Sequence, residues 1–153
     1  MWFRVDNRLI HGQVIEGWLP YTNARHLVVA NDELAHDSIR QTIMQMAVPR
    51  KIDVRFVCVA DLAKTIASFG DANVLVLYET CDDVRGASEA GVAMDVLNIG
   101  NLHYADGKIQ LYPHVALSSD DIATLRNLAS RGTAMDFRAV PTQSVKAPHE
   151  PLF

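Results

Sequence analysis

Only two of the 153 residues are cysteines. Cys58 and Cys81 lie far apart without a CxxC spacing, which excludes a disulfide framework or a cysteine-built zinc site and leaves free thiols as the expectation. No apolar run approaches the ~20 residues that span a bilayer, and the chain opens on strand-like sequence instead of a signal peptide, so a cytoplasmic protein is expected. Excess positive charge is also missing. Lysines and arginines number 14 against 18 aspartates and glutamates, a net charge of −4, so no global field draws the chain to nucleic acid or anionic lipid. Among the histidines, His26, His36, His103, His114 and His149 show neither i,i+4 pairing nor zinc-type spacing with cysteine, and no metal site is expected. Internal repeats, low-complexity tracts and composition breaks are absent. Residues 1–153 therefore read as one domain, with 142–153 as a tail.

What remains is ordinary core-forming sequence. A chain of this length buries about 68–70% of its unfolded surface, and 49% hydrophobic with 21% charged residues suits independent folding. Valine-rich runs at 27–30, 54–59 and 74–78 read as strands buried on both faces. Helical periodicities separate them. Val14, Ile15, Trp18 and Leu19 share a face of a first helix that Pro20 should end. Ile39, Ile43, Met46 and Ala47 do the same for a second, stopped by Pro49, while Leu62, Ile66 and Phe69 mark a third and 83–90 a weaker fourth. Further on, 96–99 reads as a strand, and Asp106-Gly107 signals a hairpin turn between 102–104 and 109–111. Ser118 with Asp121 three residues later is a helix N-cap, Gly132 closes that helix, and 134–140 reads as a half-exposed last strand. The alternation predicts an α/β fold: a mostly parallel, twisted central sheet with helices on both faces and a small hairpin in the second half. The loops beyond the carboxyl ends of strands one, two and four, carrying His11, Asn31-Asp32 and residues 79–82, should then meet.

The richest stretch is Arg4-Val5-Asp6-Asn7-Arg8-Leu9-Ile10-His11-Gly12-Gln13-Val14. It sets a histidine where a strand gives way to a helix, a place that offers unpaired N–H groups and the positive end of the helix dipole to an anion. Neutral imidazole is a nucleophile near pH 7, and the planar fork of Arg8 suits phosphate oxygens. Gly12, without a side chain, lets a phosphate or a partner's backbone approach. Asp6 is the acidic member of the loop, placed to hold His11 or Arg8. The plain alternative is a capping histidine and an Arg8 paired with Asp6 or Asp32, which contributes little to stability.

This stretch resembles the active-site segment of the IIB component of the mannose/sorbose class of the bacterial sugar phosphotransferase system. The similarity continues at Val29-Ala30-Asn31-Asp32-Glu33-Leu34-Ala35, Asn98-Ile99-Gly100 and Phe137-Arg138-Ala139-Val140-Pro141. The resemblance implies that His11 carries the phosphate, on its Nδ1 atom, with Arg8 and Arg40 as phosphate contacts and no cofactor. It implies a IIA protein as phosphodonor and membrane IIC and IID subunits that hold the sugar, with membrane association only through them. Mannose, sorbose, fructose and amino sugars are equally compatible with this chain. Asn101 departs from the family pattern, which often has a glycine there, and the tail 146–153 lacks the family's closing helix. Trp18, Leu19 and Tyr21, which follow the loop, are candidate rim residues of a docking face, with the core as the alternative place for Trp18.

Two other readings use the same residues. A nucleotide-binding transferase places a histidine and glycine at a strand-to-helix turn, but the H-x-G-H second histidine is absent, as are GxGxxG and GxxxxGK loops. A non-catalytic regulator that kept the fold is the other. Retention of His11, Arg8 and Arg40 speaks against it, and Asn101 and the altered tail speak for it.

Overall fold

The computed structural model describes residues 1–145. Apolar alternation and valine content place six strands side by side: β1 Trp2–Asp6, β2 His26–Ala30, β3 Asp53–Val57, β4 Val74–Tyr78, β5 Val96–Asn101 and β8 Ala134–Asp136. Their order is β3-β2-β4-β1-β5-β8, and every neighbouring pair is parallel. All strands thus end at one edge, where their following loops gather. A separate antiparallel hairpin joins β6 Ile109–Tyr112 to β7 Val115–Leu117.

Helices cover both faces. On one, Phe3, Val5, Val28, Val76, Leu97 and Ile99 pack with α5 (Cys81–Glu89) and α6 (Ser119–Ser130). On the other, Leu27, Val29, Leu75 and Leu77 meet Val14, Trp18, Leu19 and Leu34. Because successive strand residues face opposite sides, Phe3 and Val5 in the first core send Arg4 and Asp6 toward the second. Asn98 and Gly100 follow from Leu97 and Ile99 in the same way. Ser118 caps α6 in a reciprocal pair with Asp121, as its spacing predicts, and Gly132 follows with φ +101°.

Several expectations change. The run 54–59 gives β3, which ends at Val57 on the sheet edge with its side chains half-buried at most, while Val59 lies past the strand and is buried in the first core. The first helix does not stop at Pro20: a π-helical segment, Gln13–Trp18, runs into α1, Leu19–Thr22. The hydrogen-bond register changes at Leu19, so Pro20 falls in a first turn, where its missing N–H costs nothing. Left-handed Asn23 ends the helix. The second helical pattern becomes α3, Ser38–Met46, and a short helix that the pattern did not include, α2, Asp32–Ala35, precedes it. The apolar stripe of α3 faces outward: Ile39, Ile43 and Met46 are 74%, 63% and 81% exposed. Arg40, Gln41 and Met44 face inward instead, with the Gln41 side chain donating to the Leu34 carbonyl at 2.8 Å. The hairpin lies later than expected, because Leu102 bridges Val115 and leaves β6 to pair with β7. Asp106-Gly107 still makes a turn, with Lys108 N–H donating to the Ala105 carbonyl. The last strand ends at Asp136, where the chain leaves the sheet to cross the site. α4, Leu62–Ala67, matches the third pattern, and α5 begins at Cys81, earlier than the sequence suggested. Cys58 and Cys81 are free thiols. Of the tail 142–153, residues 146–153, including His149, lie outside the described residues.

Candidate functional site

The site is built at the end of β1. Asp6 is fully buried, and one of its carboxylate oxygens, Oδ2, is bonded by three residues. Arg4 Nη2 reaches it at 2.8 Å, His11 Nε2 at 2.7 Å and Asn101 Nδ2 at 2.9 Å. The other oxygen accepts the backbone N–H of Arg8 at 2.9 Å. Burial pushes this carboxyl up, but the hydrogen bond from His11, the charge of Arg4 and the bonds from Asn101 and Arg8 outweigh it and hold Asp6 below the usual carboxylate range. An ionised Asp6 accepts only. The shared bond therefore places the His11 proton on Nε2 and leaves the Nδ1 lone pair uncommitted; Nε2 carries the one hydrogen bond of the ring among the described residues.

The loop between Asp6 and His11 is held by its middle. Leu9 is 1% exposed and sits at φ +56°, a left-handed conformation that a leucine adopts at a cost of about 1–3 kcal/mol. Its side chain is anchored in the second core, and its N–H donates to the Asp6 carbonyl at 2.9 Å. Packing thus over-determines the strained turn that presents His11.

Arg4 is the residue whose role the sequence reading did not assign. It is completely buried and bonds Asp6, the Asn98 side chain and the Arg138 carbonyl. Its guanidinium lies 5.1 Å from the Trp18 ring centroid, a cation–π contact. Burial lowers its pKa, and Asp6 opposes the shift. Gly100 is what makes room: a Cβ there would overlap the Arg4 guanidinium. Phe137-Arg138-Ala139-Val140-Pro141 closes the far side. Asn98 Nδ2 donates to the Asp136 and Arg138 carbonyls, Trp18 Nε1 donates to the Ala139 carbonyl at 3.0 Å, and Pro141 packs on Gly17. A signal for Arg4 existed: a charge pair at i and i+2 on an apolar strand points both side chains to one sheet face, where only a mutual partner makes burial tolerable.

Of the other expected residues, Arg8 is exposed, and its guanidinium makes no hydrogen bond or ion pair among the described residues. Gly12 is exposed with right-handed φ −52°, and nothing lies within 4 Å of where a Cβ would stand. It leaves open space and needs no special backbone freedom. Arg40 stands on the inward side of α3; burial raises the Glu79 carboxyl, and the charge of Arg40 offsets part of that rise. Asp32 is not brought to His11 or Arg8; its carboxylate accepts the Val59 N–H at 2.8 Å. Of the three loops expected to meet, those after β2 and β4 are joined by Asn31 Nδ2, which donates to Asp83 at 2.9 Å, while the His11 loop is tied through Asp6 to Asn101 of β5 instead. Of the candidate rim residues, Trp18 and Leu19 are 1% and 5% exposed and belong to the core, and Tyr21 is 49% exposed, its ring edge-on to Trp2 and Trp18. The need to bury Trp18 beneath Arg4 explains the difference. Among the described residues no cluster of His, Cys, Asp or Glu is set to hold a metal, and no helix is long and apolar enough to cross a membrane.

Comparison with known proteins gives a consistent picture. Residues 1–152 match the family model for the sorbose subfamily IIB component of the phosphotransferase system. The chain is 36% identical over 141 residues to the N-acetylgalactosamine-specific phosphotransferase enzyme IIB component 2 of Escherichia coli strain K12, covering 92% of this chain and 90% of that protein. It is 34% identical over 144 residues to the sorbose-specific EIIB component of Lacticaseibacillus casei, covering 91% and 86%. The crystal structure of the N-acetylgalactosamine-specific IIB component 1 from Escherichia coli superposes with a TM-score of 0.89 at 29% identity, covering 96% of this chain and 98% of that one.

Proposed function

This chain belongs to the sorbose subfamily of phosphotransferase-system IIB components, phosphocarriers of sugar transport, and from that premise we propose that His11 Nδ1 is the atom that carries the phosphoryl group. The observation that carries this reading is the 2.7 Å bond from His11 Nε2 to buried Asp6. The Nδ1 lone pair attacks the phosphorus of a phosphohistidine on a IIA partner. The new N–P bond forms as the old one breaks, and its electron pair returns to the donor imidazole. Positive charge then develops on the His11 ring, where the Asp6 carboxylate stabilises it. In the second half the oxygen of a sugar hydroxyl attacks the same phosphorus, the hydroxyl proton passes to a base, and His11 leaves neutral. Phosphoryl transfer asks chiefly for in-line positioning and for balance of spread negative charge. Arg8, uncommitted and exposed, and Arg40, on the inward side of α3, supply that charge, Gly12 supplies open space, and Asp32 braces the neighbouring loop.

The partners follow from the same role. A IIA protein donates, and membrane IIC and IID subunits present the sugar. Exchange between two carriers requires a small, short-lived interface centred on His11. The exposed stripe Ile39, Ile43 and Met46, on the helix that bears Arg40, extends that face; an apolar patch of this kind on a rigid element marks a contact surface.

The test mixes the chain with labelled phosphoenolpyruvate, the general phosphotransferase proteins and a IIA protein. An acid-labile label is expected on this chain and is expected to vanish in a folded His11→Ala variant. A label that survives in His11→Ala overturns the assignment, and a chain that never takes label is a regulator.

A further inference from the structure

The buried carboxylate fixes more than His11. Asp6 Oδ2 is an acceptor, so the group of Asn101 that faces it at 2.9 Å is the amide NH2. That same nitrogen lies 2.8 Å from one end of the Gln13 side-chain amide, which is therefore its oxygen, Oε1. The order of the Gln13 amide follows without any freedom: oxygen toward Asn101, NH2 away from it. Gln13 stands two residues after His11, in the first turn of the π-helical segment, and is half-buried. Its NH2 has no acceptor among the described residues. One carboxylate oxygen thus leaves His11 Nδ1 uncommitted and, through Asn101, fixes the Gln13 amide with its pair of N–H donors pointing away from Asn101.

We propose that Gln13 is a hydrogen-bond donor to the phosphoryl group carried by His11, and that Asn101 is the positioning residue that aims it. The inference rests on the reading of His11 Nδ1 as the phosphorylated atom. A neutral donor suits a carrier, because it compensates charge on the phosphoryl oxygens without holding them as tightly as a further cation would. It also gives a purpose to Asn101, where a glycine would leave the Gln13 amide free to rotate.

The full chain is loaded with phosphoramidate, which transfers its phosphoryl group to imidazole and releases ammonia, and loading is followed by 31P NMR. Gln13→Glu is the informative variant. It keeps an oxygen for Asn101 and the shape of the side chain, but replaces the donor with a carboxylate. It is expected to melt like the parent and to load about tenfold more slowly, and a loss smaller than about threefold overturns the inference. Asn101→Gly is expected to load more slowly than the parent by a smaller factor, because the donor survives but its aim does not. If Gln13→Glu does not fold, the parent decides: the side-chain 15N–1H signals of Gln13 are expected to move on loading more than those of Asn101, and an unmoved Gln13 amide overturns the proposal. The underlying reading fails differently. A parent that takes no label, or a His11→Ala variant that takes as much, removes His11 as carrier whatever Gln13 does.

Discussion

Arg4 and Arg8 are four residues apart in the chain and live in opposite physical states. Arg4 is fully buried, bonds Asp6 at 2.8 Å and lies over Trp18. Arg8 projects from the loop, and its guanidinium has no partner among the described residues. The same contrast divides the whole site. Its floor, made of Arg4, Asp6, Asn98, Gly100 and Asn101, is buried and fully bonded, with no buried side-chain donor or acceptor unpartnered among the described residues. Its rim, made of Arg8, Gly12 and the outer face of α3, is exposed. Under the proposed function, the floor decides which nitrogen of His11 reacts before any partner arrives, and the rim stays uncommitted to meet two partners in turn and an oxyanion in between.

The largest expected effect comes from breaking the floor. Arg4→Met removes a buried partner of Asp6 and is expected to cost about 3–5 kcal/mol of stability, read by denaturant unfolding, because an uncompensated buried charge remains. The effect has a pH signature. Asp6 has a folded pKa below its ordinary value of about 3.9, so its stabilisation is complete above that value and is lost as pH falls through the folded one. Without Arg4 the folded value rises, and the acid limb of the unfolding midpoint moves to higher pH. Asp83 has the opposite sign: burial raises its carboxyl, so its protonation on acidification favours the folded state. An acid limb that does not move in Arg4→Met would show that the ion pair is not what holds Asp6 ionised.

The rim responds in rate with little change in stability. Arg8→Lys keeps the charge and loses the fork, and transfer from a IIA donor is expected to slow by about tenfold, roughly 1.4 kcal/mol of transition-state stabilisation, with an unchanged unfolding midpoint. Arg40→Lys is expected to slow transfer as well. If both variants transfer at the parent rate, the clamp is wrong. If either unfolds early, the arginine belongs with the floor.

Sequence reading found the rim more readily than the floor, for a physical reason. Rim chemistry lies in one contiguous loop, so Arg8, His11 and Gly12 are visible together, and the parallel sheet follows from valine runs whose burial is local. The floor is assembled from strands far apart in the chain: Asn98 and Asn101 reach Arg4 and Asp6 only because β5 pairs with β1. Asn101 stood out as a departure from a glycine pattern, and its bonds to Asp6 and Gln13 become visible only in three dimensions. α3 misled for the converse reason. Its apolar period is real, but period alone does not say whether an apolar face meets a core or a partner.

The smallest effect on stability is therefore expected at α3, and it sharpens the comparison most. Ile39, Ile43 and Met46 are largely exposed, so replacing each by serine returns little area to water and is expected to change stability within about 0.5 kcal/mol. Leu34, fully buried one helix earlier, is the internal control, and Leu34→Ala is expected to cost about 2–5 kcal/mol. If the stripe is part of the donor's footprint, the serine variants raise the KM for a phosphorylated IIA protein and leave kcat near the parent value, because they touch docking and not the reacting atoms. Loss of stability at Ile43 comparable to that at Leu34 would return α3 to the core. Unchanged KM in all three would leave its apolar face outside the docking surface and confine that surface to the loops around His11.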